Sequence, residues 1–161
     1  MDKEASIAGL LKQVSESCPK GFAAALHIKF TSSRYLLQSY RRDWIDYYSK
    51  HALLLRDPTV RWGFEHTGTI RWSALTAEDT TGVMEKAAEY GLVFGFTGAV
   101  DEGGSRSVAS FARADREFSD AEIDRITGLL HQLHDETLAA EALSPDLDAA
   151  LKRLSIILTR G

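Results

Sequence analysis

The tetrapeptide Asp101-Glu-Gly-Gly104 lies between two runs of apolar and small residues, Leu92–Val100 and Arg106–Arg113. Adjacent glycines accept the positive φ angles of a tight reversal, so the two runs read as the arms of a β-hairpin. A second pair sits nearer the start, Phe22–Phe30 and Tyr35–Tyr40, turned through Thr31-Ser32-Ser33-Arg34. Reversals this short force antiparallel pairing and argue against a doubly wound parallel sheet.

Helical spacing fills most of the remainder. Ile7, Leu10, Leu11 and Val14 share one face within residues 4–16, until Cys18-Pro19-Lys20-Gly21 breaks the pattern. Residues 41–51 read as a short helix, and Asp57-Pro58 as a turn after it, because the residue before a proline avoids the helical region. Ile70–Ser73 reads as a brief extended piece, and Thr76 as the N-cap of a helix running to about Tyr90, which Gly91 ends. The clearest local signal is Phe118-Ser119-Asp-Ala-Glu122-Ile123. Ser119 and Glu122 form a capping box, and Phe118 and Ile123 occupy the two staple positions. A long helix is expected from there to about Ala142, with Ile126, Leu130, Leu133 and Thr137 on one stripe, and Ser144-Pro145 starts a last helix. This order places the chain in the α+β class, an antiparallel sheet with helices packed on it.

Composition narrows what such a domain does. The 161 residues fit one domain, and 44% hydrophobic content is enough for a core. A net charge of −4 gives solubility and no broad nucleic-acid-binding face. The single cysteine, Cys18, allows no internal disulfide and suits a reducing cytoplasm. Met1–Ser6 is polar and no apolar run approaches the ~20 residues that span a bilayer, so a cytoplasmic protein without a membrane partner is expected.

The usual catalytic arrangements fail one at a time. Gly103-Gly104-Ser105-Arg106-Ser107 lacks the spacing of a nucleophile elbow, which leaves Ser105 a loop residue. No phosphate-binding loop occurs, and Gly91 and Gly95 lack the spacing of a dinucleotide fingerprint. His131-x-x-His134, followed by Asp135 and Glu136, is the best metal candidate, but it lacks an evident third ligand and a solvated helix face explains it as well. Cys18 reads as a plain thiol and His27 as a satisfied, partly buried core histidine. No catalytic residue, metal or cofactor is expected, and no enzyme.

One constellation remains. Tyr40, Trp44 and Tyr48 recur every four residues and would stack on one helix face. A plain core stripe explains the three alone. Asp57 follows an apolar stretch, Ala52-Leu-Leu-Leu55, and Trp72 lies in another. Each aromatic brings a large surface with one polar tip, and a carboxylate among them has to be satisfied by donors. Two indoles, two phenols and one carboxylate make a mostly apolar cavity with a few directed polar groups, as small-molecule pockets are made.

The run Tyr40-x3-Trp44-x3-Tyr48-x8-Asp57-Pro58-x13-Trp72 resembles the core motif of the autoinducer-binding domain of LuxR-type quorum-sensing regulators. Gly91 and Gly95 fall where that family has glycines, and Gly21-Phe22…His27-Ile28 and Val108-Ala-Ser110-Phe111 are similar too. The resemblance spans roughly residues 4–142 and implies a sheet of about five strands with helices on both faces, an α-β-α sandwich. It implies an N-acyl-homoserine lactone as the signal. Trp72 would donate its indole N–H to the lactone carbonyl, Asp57 would accept the ligand's amide N–H, and Tyr48 would donate to the acyl carbonyl. Trp44 would pack against the lactone ring and Ser110 would stand near the acyl or 3-substituent oxygen. Tyr40, Val60, Val83 and Ala87 would line the acyl path.

The sensory domain is then expected over residues 1–142. Residues 143–161, Leu143-Ser-Pro-Asp146…Leu158-Thr159 before Arg160-Gly161, resemble the linker and first helix of a helix-turn-helix domain without its recognition helix. No direct DNA binding by this chain is expected. The implied partners are the small-molecule signal and a second subunit, in a homodimer or a heterodimer with a full-length LuxR-type regulator. A dimer face on the 118–142 helix would make Ile126 and Leu130 sensitive positions. The alternatives are a helix-turn-helix-less member that acts by heterodimerisation or as a signal sink, and a sensor of a non-lactone molecule.

Overall fold

The computed structural model describes residues 3–30 and 32–138, together with residues 145, 146, 148, 149 and 151. The expected end of the long helix near Ala142 lies outside these residues, as does most of the segment 143–161. The elements are α1 (Lys3–Ser17), β1 (Phe22–Lys29), β2 (Ser32–Gln38), α2 (Arg42–Lys50), α3 (Pro58–Glu65), β3 (Gly68–Arg71), α4 (Val83–Glu89), β4 (Phe94–Glu102), β5 (Ser105–Arg113) and α5 (Asp120–Leu138). Two 3-10 segments, Leu53–Arg56 and Trp72–Glu78, lie between them. The strands form one five-stranded sheet in the order β2-β1-β5-β4-β3, every neighbouring pair antiparallel. The α+β class and the antiparallel sheet are as expected.

Side-chain alternation gives this sheet two different faces. On one, Phe22, Leu26, Phe96 and Phe111 pack with Ile7, Leu10, Leu11 and Val14 of α1 and Ile126, Leu129, Leu130 and Leu133 of α5. The other face is covered by α2, α4 and both 3-10 segments, whose Trp44, Leu53, Trp72, Val83 and Ala87 form a second cluster with Ala112 of β5. Helices thus lie on both faces.

Local signals explain most boundaries. Gly103 (φ 63°) and Gly104 (φ 75°) alone make the hairpin turn, so β4 and β5 extend one or two residues further into it than expected. The capping box closes as read. The Ser119 N–H donates to Glu122 Oε1 at 2.8 Å and the Glu122 N–H to Ser119 Oγ at 3.1 Å, while Phe118 and Ile123 are buried in the core.

Five expectations need correction. Asp57-Pro58 does not merely turn the chain but starts α3, with Asp57 as N-cap accepting from the Thr59 N–H and Pro58 at the first helical position. Thr76 caps no helix: its hydroxyl donates to the Ser73 carbonyl, and α4 begins only at Val83, where the Asp79 carboxylate accepts from the Val83 and Met84 N–H groups. The Ile126 and Leu130 stripe is no free dimer face, because both residues are buried against this chain's own sheet. The strand expected over Ile70–Ser73 lies two residues earlier, and Tyr40 precedes α2 instead of belonging to it.

β1 carries an irregularity between Ala25 and Ile28, where its register against β5 shifts and His27 takes a φ of 59°. The extra residue turns His27 towards α5, beside Leu26. Its Nδ1 pairs with Ser105 Oγ at 2.7 Å and its Nε2 with Thr137 Oγ1 at 2.8 Å, while His134 stands 4.6 Å away, ring to ring. His134 in turn pairs with Ser107 Oγ at 2.7 Å and the Glu102 carbonyl at 2.9 Å. Both nitrogens of His134 are therefore committed inside the fold, and His131 on the next turn faces Glu102 at 3.2 Å. No group of three metal-ligating side chains occurs among the described residues.

Burial, followed by the positive fields of His134 and Arg34, lowers the His27 pKa from 6.5 to about 4. The unfolded chain takes up a proton below about 6.5 and the fold does not, so stability is highest above that pH and declines as pH falls towards 4. The loss attributable to this side chain is on the order of 3 kcal/mol by pH 4. Urea unfolding across this range should show that slope in the parent chain and a flatter one in His27→Gln.

Candidate functional site

The second face of the sheet carries small residues where the first carries large ones. Ala23 and Ala25 of β1 and Val108 and Ser110 of β5 floor a cavity of about 790 Å³, roofed by α2, α3, α4 and the segment around Leu54. All nine residues singled out from the sequence line it: Tyr40, Trp44, Tyr48, Asp57, Val60, Trp72, Val83, Ala87 and Ser110. The size and lining match a site for a small, largely apolar molecule.

Each aromatic is placed by its element. Trp44 and Tyr48 follow one another on the inward face of α2, ring centroids 5.6 Å apart and edge to face. Tyr40, in the turn before α2, is buried and donates its hydroxyl to the Ser110 carbonyl at 3.2 Å. Trp72 follows β3 directly and lies flat over β4. There a methyl on Gly95 would stand 2.5 Å from the indole and 2.6 Å from the Phe111 carbonyl oxygen, so this position has room for no side chain.

The polar tips form two short chains. The Tyr48 hydroxyl donates to Asp57 Oδ2 at 2.7 Å, while Asp57 Oδ1 accepts from the Thr59 N–H at 2.9 Å and the Thr59 hydroxyl at 2.7 Å. The Trp72 indole N–H donates to Thr97 Oγ1 at 3.1 Å, and Thr97 shares a 2.6 Å hydrogen bond with Ser110 Oγ. Thr97 is fully buried and belongs to the polar end of the site, yet sequence reasoning missed it. Its position on β4, opposite Ser110 on β5, was the available signal.

Burial raises the Asp57 pKa, and the hydrogen bonds from Thr59 and Tyr48 pull it back. Burial, and then the Asp57 charge, hold the Tyr48 hydroxyl well above the ordinary phenol value, so Tyr48 is a donor at any physiological pH. Burial does the same for Tyr40. Asp57, Tyr48 and Trp72 thus place one acceptor and two donor groups in a mostly apolar chamber, the donors engaged here with Asp57 and Thr97. By contrast Cys18 lies in the other core, its thiol donating to the Val14 carbonyl and its pKa raised to about 12 by burial, which suits a plain thiol.

The Gly95 contact yields a test. Gly95→Ala should cost about 1–3 kcal/mol of stability and displace Trp72. Thermal unfolding reads the first effect, and the indole N–H resonance of Trp72 reads the second; an unmoved resonance would contradict the packing described.

A family model described as the autoinducer binding domain matches residues 24–137. No curated protein matches the chain. Among solved structures, the fold is similar to the N-acylhomoserine-lactone-dependent LuxR family transcription factor CepR2 of Burkholderia cenocepacia, with TM-score 0.56 and 16% identity, covering 86% of this chain and 95% of that one. It is similar to Escherichia coli SdiA, with TM-score 0.63 and 18% identity, covering 91% of this chain and 64% of that one. SdiA is also known in complex with octanoyl-rac-glycerol, and that structure gives TM-score 0.63, 19% identity and coverage of 89% and 61%. The ligand-binding domain of VqsR from Pseudomonas aeruginosa gives TM-score 0.55 and 17% identity, covering 88% of this chain and 90% of that one. This chain therefore spans less than two thirds of the SdiA chain. At these identities the likeness is one of fold, and the family model carries the assignment: the chain belongs to the autoinducer-binding domain family of LuxR-type regulators.

Proposed function

We propose that this domain binds an N-acyl-homoserine lactone in the cavity between the sheet and α2–α4 and passes the signal to transcription through a dimer. The observation that carries this reading is a cavity whose mostly apolar wall brings Tyr48, Asp57, Trp72 and Ser110 together. An amide N–H needs an acceptor, which Asp57 supplies. The two carbonyls of such a ligand need donors, which Trp72 and Tyr48 supply by exchanging Thr97 and Asp57 for the ligand. Trp44 packs against the ring, Ser110 stands by the acyl or 3-substituent oxygen, and Tyr40, Val60, Val83 and Ala87 line the tail. A hydrogen bond to a charged acceptor contributes ~1.5–3 kcal/mol, and each buried methylene ~0.8 kcal/mol.

The Asp57 arrangement sharpens the test. Asp57 caps α3 through Oδ1 and meets Tyr48 through Oδ2. Asparagine keeps the capping oxygen but places an NH₂ where the second oxygen was, turning an acceptor into a donor. The Asp57→Asn protein should therefore fold and lose ligand response. Thermal unfolding with a panel of lactones reads this directly, because a ligand at a hundred times its dissociation constant adds ~2.7 kcal/mol, several degrees for a domain of this size. An unchanged melting temperature with every lactone in the parent chain would contradict the reading. So would an equal ligand shift in Asp57→Asn.

Residues 1–142 are proposed as the sensory unit, working in the cytoplasm without a cofactor and without contacting DNA itself. No helix among the described residues is long and apolar enough to cross a membrane. Its partner is a second copy or a full-length LuxR-type regulator. With Ile126 and Leu130 buried, any contact made by α5 has to use its outer residues, such as Asp124, Gly128 and Gln132.

A further inference from the structure

We propose that Thr97, a residue outside the chamber wall, makes this sensor tolerant of the ring at the head of its signal. By holding the Trp72 indole N–H it lets an acyl amide whose ring lacks a carbonyl bind about as well as the lactone. This rests on the reading that an acyl amide lies in the chamber with its N–H at Asp57 and its ring beside Trp72.

Strand register explains the placement. Ile70 on β3 faces Thr97 on β4, Arg71 faces Phe96, and Trp72 comes next in the chain. Gly95 and Thr97 are two residues apart on β4 and so project to the same side of the sheet. The indole lies over Gly95, where a methyl would stand 2.6 Å from Cε2, the atom bonded to Nε1. Its N–H reaches Thr97 Oγ1, 3.1 Å away. Thr97 is fully buried and shares a 2.6 Å hydrogen bond with Ser110 Oγ, opposite it on β5. Trp72 and Ser110 line the chamber, whereas Thr97 stands behind them. Thr97 therefore acts on a ligand through those two side chains and is a positioning residue.

The chemistry of exchange supplies the tolerance. An indole has one N–H to donate and no acceptor. A ring carbonyl that takes this hydrogen displaces Thr97, so one neutral hydrogen bond replaces another. A ring without a carbonyl leaves the N–H with Thr97. In neither case is the buried indole donor left unpaired. Sites that reject an analogue lacking one polar group, by roughly ten-thousandfold, do so because the analogue strands the site's own donor or acceptor. Thr97 removes that penalty at Trp72. Tyr48 is held differently, by Asp57, which itself lines the chamber and is the proposed acceptor for the ligand amide. Of these two internal partners, Thr97 is the one that can be changed without altering a group that meets the ligand.

The test uses probes that keep the acyl amide and differ in the ring: N-octanoyl- and N-dodecanoyl-homoserine lactone, and the N-cyclopentyl amides of the same two acids. Dissociation constants measured calorimetrically for the parent should differ by less than tenfold between lactone and cyclopentyl amide of one chain length. Thr97→Val replaces the hydroxyl by a methyl of similar size, so the indole N–H loses its partner and only the lactone restores one. The ratio of lactone to cyclopentyl affinity should then rise about tenfold over the parent, the worth of one hydrogen bond. Thr97→Ser keeps the hydroxyl and should return the parent ratio, and in a Trp72→Phe background Thr97→Val should leave the ratio unchanged. A merely structural role would weaken both rings alike and leave the ratio unmoved in every background. A parent preference of tenfold or more for the lactone would overturn the proposal without recourse to any variant, and so would an unchanged ratio in Thr97→Val. In either of those cases the acyl-amide reading stands, because the probes bind. If no probe binds the parent at either chain length, that reading falls and the proposal falls with it.

Discussion

The asymmetry between the two faces of one antiparallel sheet governs the molecule. Strand geometry sends successive side chains to opposite sides, so a five-stranded sheet covered by helices on both faces has two interiors to fill. Towards α1 and α5 the strands contribute Phe22, Leu26, Phe96 and Phe111, which close-pack. Towards α2–α4 they contribute the small side chains Ala23, Ala25, Thr97, Ser110 and Ala112; Ala23 and Ala112 pack with Trp44, Val83 and Ala87, and open space remains beside them. One face therefore holds the fold and the other leaves a chamber. The capping box, the staple and the buried histidine pair all serve the first face, and the aromatic helix, the Asp57 cap and Trp72 serve the second.

The polar groups of the chamber are bound up with the elements that carry them. Asp57 is at once the N-cap of α3 and the partner of Tyr48 on α2, so the orientation of two helices and the position of an acceptor depend on one carboxylate. Its burial, which raises the Asp57 pKa, is offset in part by three hydrogen bonds. Trp72 depends in the same way on the absence of a side chain at Gly95 and on Thr97 beneath it. Such mutual fixing is what pre-organises a recognition site.

Local chemistry was legible wherever one residue has one sterically permitted use. The Gly103-Gly104 reversal and the Ser119–Glu122 box were of this kind, and the apolar spacing of α1 and α5 gave both helices. Asp-Pro at 57–58 has two readings, a turn or a helix start, and only packing decides between them; here α3 wins because its inward side closes the chamber. Thr76 lost to Asp79 as the cap because the intervening chain packs as a 3-10 segment with Leu75 buried. The irregularity at His27 depends on the pairing of β1 with β5, which no window along the chain reveals, whereas the Thr97–Ser110 pair follows from counting outward from the Gly103-Gly104 turn. Of the nine candidate side chains, Tyr40, Trp44 and Tyr48 stood out by periodicity and Asp57 and Trp72 by their apolar surroundings, while Ser110, Val60, Val83 and Ala87 came only through the family resemblance; periodicity had put Tyr40 on a helix it precedes.

The indole N–H resonances test the central claim most directly. The chain has three tryptophans, Trp44, Trp62 and Trp72; the first and last line the chamber, and Trp62 lies outside it, stacked on His66 with ring centroids 5.3 Å apart. Titrating ¹⁵N-labelled protein with a twelve-carbon acyl-homoserine lactone should move the Trp44 and Trp72 indole peaks saturably and leave Trp62 in place, with Trp72→Phe and Trp44→Phe identifying the two peaks. Saturable movement of Trp62 alone, or of none of the three under conditions where the ligand binds, would place recognition elsewhere and contradict the account.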